Sequence, residues 1–186
     1  MNTNYLEGII KQFQYYKRLG DKTFEQLNND ELHWKPNVYS NNVAIVVKHI
    51  VGNMLSRWTN FLTEDGEKDW RMRDSEFEDT YQTKEEMIEA WEKGWQCLFD
   101  AITPLKAEDL DRIIYIRNQG QTVVDAINRQ LAHYAYHIGQ IVYIGTLIRD
   151  TDWKSLSLPK GQSATYNKSK FDQKKQTGHF TDDLLK

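Results

Sequence analysis

The fold is decided by the stretch His133-Tyr134-Ala135-Tyr136-His137-Ile138-Gly139-Gln140, which lies in a long segment of helical apolar period. Apolar residues recur there at steps of three and four, as is typical of an amphipathic helix. They form a stripe that consists of Ile127, Leu131, Tyr134, Ile138, Ile141 and Gly145. Two histidines four residues apart share one helical face, with Cβ atoms roughly 5–6 Å apart. The pair His133 and His137 therefore borders a core, at a spacing that lets both imidazoles reach one metal ion.

The rest of the chain predicts three further long helices and one hairpin. The four helices are predicted at residues 3–28, from a cap within 40–42 to about 64, from the Thr83 cap to about 103, and from the Thr122 cap to about 149. Thr83 followed by Glu86 has the pattern of a capping box. The β-branched segment 112–117 precedes the turn residues Asn118-Gln119-Gly120. The predicted fold class is all-α: an up-and-down-type four-helix bundle, with a short β-hairpin between its third and fourth helices and an irregular C-terminal extension.

Composition limits the class of protein. The 186 residues carry 24 basic and 27 acidic side chains, a formal net charge of −3, which does not favour a nucleic-acid partner. Residues 151–186 are polar and basic, so we expect a bundle domain over 1–150 and an extension packed on it over 151–186. No apolar run is long enough to span a membrane and no signal peptide is recognised. The single cysteine, Cys97, fits a reducing cytoplasmic setting and is expected to be a buried, inert thiol.

A third histidine lies in the second helix. The run from Val43 to Val51 is apolar except for Lys48 and His49, so this helix must be covered on more than one side. An imidazole there needs a partner, because an unpaired buried polar group costs about 1–3 kcal/mol. Three neutral imidazoles on facing helices would give a metal site with open positions, as catalytic sites have. The alternatives are that His49 is a hydrogen-bonded core residue and that the HxxxH spacing arises by chance.

Other polar residues near these histidines are candidates for supporting roles. Gln140 follows His137 by one turn and is a candidate to orient a ligand or to contact substrate, with Tyr136 and Asn53 as further candidates. His33 and His179 have no predicted site. Imidazole ligands suit zinc, nickel, copper or iron about equally, so the sequence does not select the metal. The possibility that the histidines bind no metal also stays open.

These features resemble the DinB/YfiT-like superfamily over residues 1–150. The resemblance rests on the helix-two segment 45–53 that contains His49, on the HxxxH-Ile-Gly-Gln segment, and on the order of helices and hairpin. The stretches 54–58, 65–68 and 155–161 resemble a branch of that superfamily catalogued only as a domain of unknown function. The resemblance implies a four-helix bundle, often a homodimer, with a divalent metal held by three histidines, which map onto His49, His133 and His137.

The resemblance also suggests a reaction, because some members of the superfamily are thiol transferases that use bacillithiol or mycothiol. The first hypothesis is a metal-dependent enzyme that acts on a small-molecule substrate. It would be a transferase with a small-molecule thiol cosubstrate of the bacillithiol type, or a hydrolase in which the metal activates water. The second hypothesis is a non-catalytic dimeric metal-binding or stress-related interaction protein. Folds of this kind carry several functions, so the fold alone does not choose between the enzyme and the interaction protein. An experiment is needed to separate the two hypotheses.

Overall fold

Helices and one small antiparallel sheet make up the structure, a computed structural model that describes residues 3–185. The elements in chain order are the helices α1 (Thr3–Phe24), α2 (Asn29–Leu32), α3 (Val43–Trp58) and α4 (Lys84–Ile102), the strands β1 (Ile113–Ile116) and β2 (Gln119–Thr122), and the helices α5 (Val123–Arg149) and α6 (Ser163–Phe171). The prediction of a mostly helical chain with one short hairpin is thus confirmed. Within the described range, no helix has both the length and the apolar character required to cross a membrane.

The four long helices enclose an aromatic core. Helix α3 packs against α4 and α5, and α1 packs against the same two helices. The rings of Trp95 and Tyr134 are fully buried, with centroids 6.0 Å apart. The buried Tyr134 hydroxyl is satisfied, because it accepts a hydrogen bond from Trp58 Nε1 and donates one to Asn53 Oδ1, both at 3.0 Å. This core fixes α3 against α5, the two helices that carry the three predicted histidines.

The predicted helix starts are confirmed, with one change at α4. Asn42 caps α3, Thr83 caps α4 and Thr122 caps α5, each through its side-chain oxygen. Thr83 accepts from the backbone N–H of Glu86 at 3.1 Å, as a capping box requires. The Glu86 carboxylate, however, accepts from the N–H of Gln82 at 2.8 Å, one residue before the cap.

Two predicted helix ends are wrong. The first helix ends at Phe24, since Asn28 caps α2 in a capping box with Glu31. The second ends at Trp58, well before residue 64, since Thr59 is extended and Asn60 has a positive φ of 49°. In both places local side-chain bonding or backbone conformation interrupts an apolar pattern that continues further along the chain.

The hairpin turn lies earlier than predicted. Its two central residues are Arg117 and Asn118, with φ of 56° and 59°, the backbone of a type I′ turn. Gln119 and Gly120, predicted as turn residues, belong to β2. The Asp65 carboxylate accepts hydrogen bonds from both turn N–H groups at 2.8 Å, so the turn is held by the segment that follows α3.

The C-terminal extension is not irregular throughout. Residues Ser163–Phe171 form α6, and none of them is buried. Further on, Thr181 is fully buried, Asp182 pairs with Lys11 at 2.6 Å, and Phe180 lies against the ring of Tyr15 at 5.7 Å between centroids. The C-terminal end of the extension, residues 180–182, therefore packs on the body of the protein and contacts α1.

Candidate metal centre

The fold brings three histidines from two helices to one point. His49 lies on α3, and His133 and His137 lie one turn apart on α5. The Nε2 atom of His133 is 3.3 Å from Nε2 of His49 and 3.1 Å from Nε2 of His137. One ring nitrogen of each residue lies within 4.8 Å of those of the other two, close enough for a single metal ion.

Two of the three imidazoles are oriented by hydrogen bonds on the far side of the ring. His49 Nδ1 lies 3.0 Å from Glu76 Oε2, and His137 Nδ1 lies 2.8 Å from Gln140 Oε1. A neutral imidazole that donates through Nδ1 carries its lone pair on Nε2. Both bonds therefore select the tautomer whose Nε2 lone pair faces the centre. Partners of this kind usually orient histidine ligands of metals.

A buried ion pair anchors His49 from behind. Glu76 lies in the short 3₁₀ turn Asp74–Phe77 and accepts bonds from Arg71, with Nε 2.6 Å from Oε1 and Nη2 2.9 Å from Oε2. Burial acts to raise the pKa of Glu76, but the hydrogen bonds from His49 and Arg71 outweigh it and lower that pKa. Glu76 is therefore a carboxylate at neutral pH. The ring of Phe77 stacks on His49 at 4.9 Å between centroids.

The two histidines of α5 are held neutral. Burial, with the charges of His137 and His49, lowers the pKa of His133 to about 3. Burial also lowers the pKa of His137, although the hydrogen bond that His137 donates to Gln140 acts to raise it. A metal ligand must offer an unprotonated nitrogen, so both groups are in the binding form at neutral pH.

The remaining candidates separate into near and distant ones. Gln140 contacts His137 as described, and the exposed ring of Tyr136 lies 4.9 Å from that of His137. Asn53 is buried and accepts a hydrogen bond from Tyr134, and within the described part of the chain no hydrogen bond joins it to a histidine. The other two histidines lie outside the site: His33 pairs with Asp79 at 2.8 Å, and His179 contacts Thr181 Oγ1 at 2.7 Å.

Sequence reasoning missed Glu76 and Arg71. Both belong to a charged segment without periodicity, and Glu76 is 27 residues from His49 in sequence. One indirect signal was available in Gly52, three residues after His49 on α3. A Cβ atom there would overlap Glu76 Oε1 and lie 2.8 Å from its Cδ. An isolated glycine within a helix can mark this kind of close approach.

The donor set fits a divalent transition metal. Three imidazoles converge, and the structure brings no fourth histidine, cysteine or carboxylate of the described residues into the group. Three protein ligands leave coordination positions for a small molecule, which separates a catalytic site from a closed structural one. Imidazole nitrogen suits zinc, nickel, copper and iron, so the residues do not select among them.

Comparison with known sequences places the chain in a family. A search of curated proteins gives no match. A family model with the description "Protein of unknown function (DUF1572)" matches residues 1–162, a range that contains all three histidines and ends just before α6. Because this match covers most of the chain, the chain belongs to the DUF1572 family.

Proposed function

We propose that the protein is a metal-dependent enzyme that transfers a low-molecular-weight thiol, of the bacillithiol type, to a small electrophilic substrate. His49, His133 and His137 would hold the divalent ion. The observation that carries the proposal is the convergence of three Nε2 atoms, two of them on rings whose Nδ1 is fixed by Glu76 or Gln140. Without a cation, the two contacts between these nitrogens share at most one proton, that of His133 Nε2, so unprotonated nitrogens face each other. A bound cation would relieve this arrangement.

The chain's own residues prepare the site for this chemistry. A bound divalent ion would favour the thiolate form of the cosubstrate, which is its nucleophilic form. The sulfur forms a bond to the electrophilic carbon, the leaving group departs with the bonding electrons, and the thiol proton passes to solvent. Glu76 and Gln140 hold the imidazoles in place during this exchange.

The thiol is expected to come from a small molecule and not from the protein. Cys97 is half-buried on α4, where burial raises the pKa of its thiol, so little thiolate forms at neutral pH. Cys97 lines a separate cavity with Trp58 and Leu55, and none of the three histidines lines that cavity.

The proposal includes a finer description of the fold and its setting. The pairing of α1 with α5 and of α3 with α4 supports an up-and-down four-helix bundle over residues 1–150. The contacts of residues 180–182 with α1 support an extension, 151–186, that packs on it. The three-histidine pattern supports membership of the DinB/YfiT-like superfamily, whose members are often homodimers. We propose that the protein is such a homodimer and that it acts in the cytoplasm.

Elemental analysis of untagged protein tests the metal site. We expect about one transition-metal ion per chain in the wild type and a large loss in a His133→Ala, His137→Ala double variant. His33→Ala is the matched control, since that residue pairs with Asp79 outside the site and should leave the metal content unchanged. A thiol-conjugation assay with a reactive electrophile then tests the reaction. Turnover that persists in the double variant would contradict the mechanism.

A non-catalytic, metal-binding interaction protein is the second candidate. Its support is the outer face of α5, where Tyr136, Tyr143 and Leu147 are 63%, 65% and 45% exposed and offer an apolar contact surface. This candidate predicts a melting temperature that rises with metal, without turnover on any pair of thiol and electrophile. If light scattering showed a monomer, it would contradict the homodimer for both the enzyme and the interaction protein.

A further inference from the structure

A strongly basic cavity of about 260 Å³ adjoins the three-histidine site. His49 and His133 form part of its wall, so the cavity and the candidate metal centre share residues. No carboxylate of the described residues is part of the lining. Five arginines contribute to it: Arg57, Arg71, Arg73, Arg117 and Arg129.

The two most buried arginines each have one nitrogen without a hydrogen bond. The side chains of Arg57 and Arg71 are 7% and 2% exposed. Among the described residues, Arg57 Nε and Arg71 Nη1 have no hydrogen-bond partner, and neither has Oε1 of the buried Gln130, which lines the same cavity. A buried polar group without a partner costs about 1–3 kcal/mol. Three residues of this cavity wall therefore keep unused hydrogen-bonding capacity.

The charge of the cavity is only partly compensated by the protein. Glu67 contacts Arg57 at 3.0 Å, Arg117 at 2.9 Å and Arg71 at 3.7 Å, and Glu76 is engaged by Arg71. Within residues 3–185, the exposed Arg73 and Arg129 at the rim form no ion pair. Five guanidinium groups therefore face two carboxylates, and a metal ion on the histidines would add further positive charge.

We propose that this cavity binds the oxyanion group, a carboxylate or a phosphate, of a small-molecule substrate of the enzyme. The planar fork of arginine matches both groups and binds them with two parallel hydrogen bonds. The volume suits one small anionic group and not a large ligand. Because His49 and His133 line the same space, an anion held among these arginines would place the rest of its molecule against the candidate metal centre.

This inference rests on the proposed function for its reaction, but anion binding is measurable without turnover. Isothermal titration calorimetry would use the full chain at low ionic strength, with and without zinc, and inorganic phosphate or acetate as the probe. We expect saturable binding of one anion per chain, stronger with zinc. Preference for phosphate or for acetate identifies the group that the cavity selects.

Three variants locate the binding. Arg57→Lys keeps the charge but removes Nε, and should weaken binding about tenfold or more. An Arg73→Gln, Arg129→Gln double variant removes rim charges that have no ion pair in the described part of the chain, so it should fold normally and bind about two- to fivefold more weakly. Arg112→Gln is the matched control, because Arg112 pairs with Asp109 outside the cavity and should leave binding unchanged.

The outcomes separate this inference from the proposed function. Anion binding that persists in metal-free His133→Ala, His137→Ala protein supports the cavity even if the thiol reaction is never observed. The inference is wrong if neither probe binds the wild type in either metal state. It is also wrong if the rim double variant and Arg112→Gln bind with equal affinity. The rim variant decides the question if Arg57→Lys fails to fold.

Discussion

At the residue scale, the site depends on how firmly each imidazole is held. Glu76 joins His49 to Arg71, and the side chains of all three are buried. Glu76→Gln keeps an oxygen that can accept from Nδ1 but removes the charge that Arg71 requires. We expect zinc affinity to fall about 10–100-fold, the usual effect of losing such an orienting partner. Competition with a chromophoric chelator measures the dissociation constant.

A second histidine–carboxylate pair supplies the control for Glu76→Gln. Asp79 binds His33 at 2.8 Å, with similar geometry but outside the three-histidine group. Asp79→Asn should therefore leave zinc affinity unchanged. If both variants lowered it equally, the loss would reflect general stability and the anchoring role of Glu76 would be refuted.

The depressed pKa values predict how the metal-free protein responds to acid. The pKa of His133 is about 3 in the folded chain, against 6.5 for the ordinary group. Between these values the unfolded state binds more protons than the folded state, so the free energy of unfolding decreases as pH falls below about 6.5. Urea unfolding at about pH 7 and about pH 5 measures the difference. In His133→Asn this decrease should be smaller, and an unchanged pH dependence would contradict the assignment.

The sequence could predict part of the site and not the rest. The His133 and His137 pair follows from helical spacing, and His49 follows from a polar residue in an apolar run. Glu76 and Arg71 have no such pattern, because the segment that carries them has neither helical nor strand period. The basic cavity is also invisible in sequence, since Arg57, Arg71 and Arg129 come from separate parts of the chain and meet only through packing.

At the element scale, two glycines in the site-bearing helices have opposite surroundings. An added Cβ at Gly52 on α3 would overlap the Glu76 carboxylate, whereas one at Gly139 on α5 meets no atom within 4 Å. Gly52→Ala should destabilise the protein by about 1–3 kcal/mol and weaken zinc binding, because Glu76 must move away from His49. Gly139→Ala should stabilise it by about 0.5–1 kcal/mol, the usual gain in a helix interior.

Denaturant unfolding and zinc titration of both variants provide the check. Gly139→Ala is the matched control, since it lies two residues from His137 and should leave zinc affinity unchanged. Equal zinc affinity in the wild type and Gly52→Ala would show that the close approach of α3 to Glu76 does not hold the site together.

The helices also show which of their boundaries a sequence pattern can predict. The sequence predicts the caps at Thr83 and Thr122 because capping is local. Each threonine oxygen accepts a hydrogen bond from the backbone N–H three residues later, and this bond needs no tertiary contact. The ends of α1 and α3 were misplaced, because apolar spacing continues past Phe24 and Trp58. Buried Phe61 shows the reason: its side chain is covered although its backbone has left the helix.

At the scale of the whole molecule, the extension contacts the body in two distinct places. Near its start, the indole of Trp153 lies 3.1 Å from the position of a Cβ on Gly145, and Lys154 exchanges hydrogen bonds with Gln26. Near its end, Asp182 pairs with Lys11 and Thr181 is buried. The family match ends at residue 162, between these two sets of contacts.

A chain ending at residue 162 therefore tests which contacts the metal centre needs. We expect it to melt a few degrees lower than the full chain, because the contacts of Lys11 and Thr181 are lost while those of Trp153 remain. Its metal content should equal that of the wild type, because His49, His133 and His137 and their anchors Glu76 and Gln140 are retained.

Differential scanning calorimetry and elemental analysis measure the melting temperature and the metal content of the shortened chain. Full-length Trp153→Ala is the comparison, and it should lower the melting temperature because the indole packs against Gly145 of α5. Loss of metal from the shortened but folded chain would show that the extension helps to form the centre.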